Sequence, residues 1–528
     1  MGFALTVLYI VLTVLSPEQF GPAWAKYHVL EYLAALTFLA SFPNILTNVN
    51  LRTSVQTPLL LAFVVAIGLS QIANGWFGGA IEGWSKFMPS AAVFFFIVAN
   101  VTTVRRLQIG MLAVAAASLL LAVEALSAYY GGWRSGIFVL QTNLYEHEEI
   151  VGQLSRIRGA GFLSDPNDFA QILLIALPLI FVAWRQGRII TNLLMALVPV
   201  ALLLWATFLT HSRGALIGLA VVALIASRKR LGTTISTALT CLLVLGMLAL
   251  DFTGGRVISA SEGADRLEAW ATGLELFKGA PLFGIGFGAF TDFNDITAHN
   301  SFVLCLAELG LIGSTIWMAL LVTTTMGLNR LVAEREEPAM TGEGRKEISN
   351  LAVGEDEPEI ISNAIDADQG AAFEDQSTDC DPAQSTDGDR ADVVRIENQS
   401  WAGNVNHEIP TALGKTSPPS TGWTTMTETA AVDDFKVQIE MESVHELIVP
   451  NKCVVAIRLA LVSFMATSWF LSRSYATTMY LVLGLATAAI ALERPVTETW
   501  DRVRWIPVTL AVEAMAIILI YFAVRLRH

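Results

Sequence analysis

Cysteine is nearly absent and charge is thin. The 528 residues include four cysteines, and charged side chains make up 15%. Cys241, Cys305 and Cys453 lie in apolar runs and Cys380 in an acidic stretch, so their spacing offers neither a disulfide framework nor a zinc site. The outer loops defined below carry no His-x-x-x-His and no Asp-x-Asp, so no metal site is expected. With 54% apolar residues and a mean hydropathy of +0.55, the chain is not an ordinary water-soluble enzyme. The little charge there is sits apart. Residues 331–450 hold 26 of the 47 acidic and 7 of the 33 basic side chains, leaving 21 acids and 26 bases elsewhere. The formal net charge of −14 therefore combines one acidic insert with a mildly basic apolar body.

Long hydrophobic runs are what the sequence does have. A spanning helix needs about 20 mostly apolar residues. Thirteen segments qualify or come close: 2–15, 29–46, 58–73, 88–104, 107–129, 169–184, 190–210, 215–227, 233–250, 302–326, 453–471, 476–492 and 506–524. The first lacks the basic flank and small-residue cleavage site of a signal peptide, so it is expected to be a helix. Hydrocarbon offers the backbone no hydrogen-bond partners, so these runs should cross as helices. The fold expected is all-α, with about 12–13 transmembrane helices.

Sidedness follows from Lys and Arg in short loops. Arg105–Arg106, Arg185 with Arg188, and Arg228–Lys229–Arg230 should share the cytoplasmic face. Loops 74–87, 128–168, 211–214 and 251–301 then lie outside and the insert lies inside. The basic tail at 525–528 falls on the outer face, against the rule. Four regions result: N-terminal helices 1–130; a core 131–330 with outer loops 131–168 and 251–301; the insert 331–450; and C-terminal helices 451–528. The insert is rich in Asp, Glu, Ser and Thr and poor in aromatics, so it should be mostly disordered, a solvated linker.

The outer loops hold the unusual chemistry. Arg156-Ile-Arg158-Gly-Ala-Gly-Phe-Leu-Ser-Asp165-Pro-Asn167 runs into the sixth span, where Asp165 and Asn167 suit a helix cap as well as a direct role. Arg158 leans towards function. Ser212-Arg213-Gly214 joins two spans so tightly that Arg213 must sit at the membrane boundary, beside the free N–H groups of a helix start. An anion cradle and a snorkelling arginine are the two readings, and outward placement favours the first.

In the long outer loop, apolar residues at 267, 270, 271, 274 and 277 recur at helical spacing, so Asp265–Phe277 should be an amphipathic helix on the membrane surface, with Arg266 in its first turn. Pro281-Leu-Phe-Gly284-Ile-Gly286-Phe-Gly288 is too unlike Gly-x-Gly-x-x-Gly to be a nucleotide loop. His299-Asn300-Ser301 opens the tenth span. The positive end of that helix should keep His299 neutral, as a general base must be.

These strings together resemble the O-antigen ligase and O-antigen polymerase superfamily: Gly161-Phe162 with Asp165-Pro-Asn167, Ser212-Arg213-Gly214, Pro281 to Gly288, and His299-Asn300-Ser301-Phe302 with Ala307-Glu308-Leu-Gly310. The resemblance spans about residues 155–330. It implies a fold similar to lipid-dependent multi-spanning glycosyltransferases, in the bacterial inner membrane with the active face periplasmic. It implies transfer of a glycan from undecaprenyl diphosphate to a hydroxyl on lipid A-core, on a polysaccharide or on a protein. No metal or other cofactor and no nucleic-acid partner are implied. Carried over, His299 activates the acceptor and Arg213 and Arg266 hold the diphosphate; Arg158, from its own place in the outer loops, is expected to join them. Asp165, Asn167, Ser212, Asn300 and Glu308 support them. Ligase, chain polymerase and protein O-oligosaccharyltransferase share these motifs. A transporter or flippase of lipid-linked glycan is the alternative of another class. The insert and the thirteenth span depart from the family pattern.

Overall fold

A computed structural model describes residues 1–20, 26–48, 51–52, 54–146, 149–250, 252, 254, 260–333, 451–493 and 504–526. All but the first three residues of the expected acidic insert lie outside the described residues; 331–333 complete a helix.

The protein is an all-α polytopic membrane protein. Its helices are α1 (Gly2–Leu15), α2 (Val29–Thr47), α3 (Gln56–Ala73), α4 (Phe77–Asn100), α5 (Val104–Gly131), α6 (Pro166–Ile180) and α7 (Ile189–Leu209). They continue as α8 (Arg213–Ala249), α9 (Ala260–Gly279), α10 (Ser301–Ala333), α11 (Asn451–Ser468), α12 (Thr477–Glu493) and α13 (Trp505–Arg525). Among the described residues nine helices are long and apolar enough to span a membrane. The expected spans 215–227 and 233–250 form one helix, α8, interrupted where Gly232 leaves helical geometry. Leu and Ile side chains along α7 and α8 point outward, such as Ile190, Leu194, Leu242 and Leu245, as a lipid-facing surface requires. Pro199 enters α7 behind a single π turn, Leu193–Leu197; proline has no N–H to give and crowds the carbonyl four residues back, so the turn widens.

Two expected loops contain structure. Most of 74–87 is the opening of α4, where Glu82 and Lys86 pair at 2.7 Å across one turn on an exposed face. Within 128–168 an antiparallel hairpin forms from β1 (Val139–Glu146) and β2 (Glu149–Ile157).

Polar contacts fix the two ends of the bundle. At one end, Asn100 of α4 donates to Thr6 of α1 (3.1 Å) and Ser41 of α2 (2.8 Å) and accepts from Asn44. Buried amides in lipid join helices this way because the alternative is an unsatisfied dipole. Lys452, at the start of α11, donates to the carbonyls of Val182 and Trp184 beyond α6 (2.9 and 3.1 Å). The starts of α6, α8 and α10 and the α11–α12 link gather at the other end.

Two segments separate in sequence lock together there. Helix α10 breaks at Gly310, whose φ of 63° and ψ of −164° leave the helical region. The break is completed by the turn and loop run 281–286: Ile285 and Gly286 donate to the carbonyls of Ala307 and Glu308 (both 3.0 Å), and Leu311 donates to Pro281 (2.8 Å). The glycine-rich motif is thus a backbone splint for a broken helix.

Candidate functional site

Each functional side chain is placed by a helix end or its approach. Asp165 caps α6, its carboxylate accepting from the Asn167 N–H at 2.7 Å, with Pro166 at the first helical position. Ser212 caps α8 and its hydroxyl accepts from Ala215 N–H, so Arg213 is the first helical residue. His211 before it has φ of +50°, and its Nδ1 lies 2.9 Å from the Phe252 carbonyl oxygen.

At α10 the cap is Asn300, whose side-chain oxygen accepts from the N–H groups of Phe302 (2.9 Å) and Val303 (3.0 Å). His299 precedes it in left-handed geometry, φ +48°. A non-glycine residue there costs about 1–2 kcal/mol, so the surrounding contacts must impose it.

Arg266 stands one turn deeper than expected, because α9 begins at Ala260 rather than at 265. Nor does the apolar face of α9 rest on lipid alone: it packs on α10 and α13, and Trp270 donates to the Ala298 carbonyl at 2.9 Å. The Trp270 ring meets Trp469 edge-on, centroids 6.5 Å apart.

Two adjoining cavities result. The first, about 260 Å³, is lined by Arg213, Arg266 and His299, with Ser212, Asn167 and Arg156. The second, about 340 Å³, is lined by Asp165, Asp168, Glu308, Arg473 and Tyr475. His299 and Asn167 line both. Burial pushes the His299 imidazole below its ordinary range, and the Arg266 charge pushes it further down; Asp165 pulls it up and Arg473 down. Asn300 rather than His299 occupies the cap, so His299 lies just outside the start of α10.

Arg158 does not reach either cavity. Its guanidinium donates to the carbonyls of Ile137 (2.8 Å) and Gly136 (3.0 Å), pinning the base of the hairpin. Arg156 is the residue from this cluster that lines the first cavity; it is 6% exposed, and donates to Thr210 O (2.8 Å) and Asn167 Oδ1 (3.2 Å). Arg158→Ala should leave turnover within about twofold, whereas Arg156→Ala should lower it on the order of 10²-fold. Initial rates with the reconstituted protein check both, and a larger loss from Arg158 would overturn the distinction.

Three residues emerge only from the structure. Asp168 and Arg473 form a two-point ion pair at the wall of the second cavity, and Tyr475 stands beside it. A signal for Arg473 existed: a lone arginine in the short link between two apolar runs.

Fold and site together define a multi-pass membrane protein with a cationic cavity at one end of its helix bundle. Residues 198–318 match the family model described as O-Antigen ligase, so this stretch of the chain is similar to the O-antigen ligase/polymerase superfamily. The matched stretch runs from α7 into α10 and contains Ser212, Arg213, Arg266, His299, Asn300 and Glu308. No curated protein matches the chain.

Proposed function

We propose that the protein transfers a glycan from undecaprenyl diphosphate to an acceptor hydroxyl, as an O-antigen ligase, at the periplasmic face of the bacterial inner membrane. The observation that carries this is the shared cavity: Arg213 and Arg266, far apart in sequence, meet His299 around a space of about 260 Å³.

The chemistry follows from those groups. A lipid diphosphate gains charge on its bridging oxygen as the glycosidic bond breaks. Guanidinium groups stay protonated, hold such oxygens through paired hydrogen bonds, and are in place before the charge develops. His299, kept neutral, takes the proton of the acceptor hydroxyl as its oxygen attacks the anomeric carbon. Attack opposite to the leaving diphosphate inverts that centre. No step calls for a metal. The lipid tail stays in the bilayer while the sugar reaches water.

Deleting the gene and following the surface glycans tests the proposal. Loss of the long glycan from lipid A-core, with the free lipid-linked polymer persisting, is the expected result. Loss of the polymer itself would assign a chain polymerase instead. An unchanged set of glycans would sink both.

A further inference from the structure

The walls on either side of His299 are opposite in charge. The first cavity has Arg156, Arg213 and Arg266 against Asp265. The second has Asp165, Asp168 and Glu308 against Arg473, and that guanidinium is already committed to both oxygens of Asp168. An anion gains on the first side, whereas the second side's guanidinium is already paired.

Glu308 adds a group that asks for a ligand. It is 2% exposed and sits within α10, where an ionisable residue is costly. Its Oε1 accepts from the Phe290 N–H at 3.1 Å, but its Oε2 completes no hydrogen bond. The Tyr475 hydroxyl is the hydrogen-bonding neighbour of Glu308, but at a geometry that leaves both that hydroxyl and Glu308 Oε2 short of a completed bond. Buried groups with incomplete hydrogen bonds are costly, so a bound hydroxyl group would recover free energy here. Thr291 and Thr297 extend the same wall with hydroxyls.

We propose that the second cavity is the acceptor subsite and that it takes one uncharged sugar ring, whose hydroxyls donate to Glu308 and its neighbouring carboxylates. This rests on the donor assignment to the first cavity. About 340 Å³ lies near the small end of the ~300–1,000 Å³ typical of ligand pockets, in keeping with one ring rather than a chain. An acidic or phosphorylated acceptor sugar is disfavoured because the guanidinium in this lining, Arg473, is already committed to Asp168. The ring held here presents one hydroxyl to His299. That O–H bond breaks towards an imidazole nitrogen, the oxygen bonds to the anomeric carbon, and the diphosphate leaves with the electron pair into the arginine side.

Cysteine protection in full-length protein in lipid nanodiscs tests this, independently of turnover. Cys241 and Cys380 are first changed to serine, since Cys305 and Cys453 are buried. Thr291→Cys then reports on the second cavity and Asp265→Cys on the first, each read as a maleimide labelling rate. Methyl β-D-glucopyranoside at about ten times its half-protecting concentration should slow labelling of the Thr291→Cys protein roughly tenfold. Methyl β-D-glucuronide and inorganic pyrophosphate should leave it unchanged. Pyrophosphate should instead protect the Asp265→Cys protein.

In Glu308→Gln, the amide oxygen must stay on the Phe290 N–H, turning its NH₂ to the cavity, so glucopyranoside protection should be lost. Tyr475→Phe, which removes only the hydroxyl, should weaken it, and serves if the first variant does not fold. Equal protection by the glucuronide, protection by pyrophosphate, or none by the neutral glycoside would overturn the proposal. Failure of pyrophosphate at the Asp265→Cys reporter alone would overturn the donor assignment.

Discussion

Replacing His299 by alanine should lower glycan transfer by about 10²–10⁴ while lipid-linked donor still binds. A base acts on the acceptor proton, so its loss falls on kcat rather than on donor affinity. Arg213→Ala and Arg266→Ala should each cost on the order of 10²–10³, because each removes a fixed positive group from the leaving diphosphate. All three side chains line one cavity, so the losses should not add in combination. Purified protein with lipid-linked glycan and lipid A-core measures all of this. Near-normal turnover in any one of the three variants would remove that residue from the site.

The pH dependence carries the same assignment further. A base must be unprotonated, so kcat/KM should fall as pH drops through the folded pKa of His299. That pKa lies below the ordinary 6.5, with burial the largest cause and Arg266 the next. The acid limb should therefore appear below pH 6.5. Arg266→Gln removes a charge that holds the pKa down, so the limb should move to higher pH. Burial remains, so it should still lie below 6.5. Stability follows the same sign: a depressed histidine means that the unfolded chain binds more protons as pH falls through this range, so acid weakens the fold. A limb that moves to lower pH in Arg266→Gln would contradict the electrostatic contact.

Hydropathy made the helices legible, since a lipid solvent penalises any polar interruption. It also misled at the edges. Residues 77–87 looked like a loop because Glu82, Lys86 and three glycines dilute the apolar run, yet helical hydrogen bonds continue past the point where hydrophobicity stops. The hairpin was missed for a related reason: its strands carry Gln, Thr and Asn in place of a continuous apolar face.

In the site, Arg213, Arg266 and His299 were legible as polar residues placed against hydropathy or at helix starts. The choice between Arg156 and Arg158 was not. Two residues apart on a strand they would share a face, but β2 ends at Ile157, so alternation no longer governs Arg158. Arg473 escaped because its partner Asp168 lies 305 positions away, a distance that no local pattern spans.

Gly310→Ala should be among the most damaging single changes outside the cavities. A Cβ there would stand 2.5 Å from the carbonyl carbon and oxygen of Leu282 and 2.6 Å from the amide nitrogen of Gly284. Those are backbone atoms, so no side chain can swing aside. Alanine also pays for φ of +63°, about 1–2 kcal/mol, and forcing the splint apart adds roughly 1–3 kcal/mol. Gly284→Ala meets the same wall from the other side, 2.3 Å from the Glu308 carbonyl group, at φ of +71°. Either change should displace the 281–286 run, and with it the Phe290 N–H that holds Glu308. Transfer and thermal stability should then fall together. Gly246→Ala is the control, in a helix with nothing within 4 Å of its added Cβ, and should be neutral or stabilising by less than about 1 kcal/mol. Thermal unfolding of the three purified variants distinguishes the outcomes: if Gly310→Ala melts with Gly246→Ala, the two backbones do not touch, and the site rests on some other support.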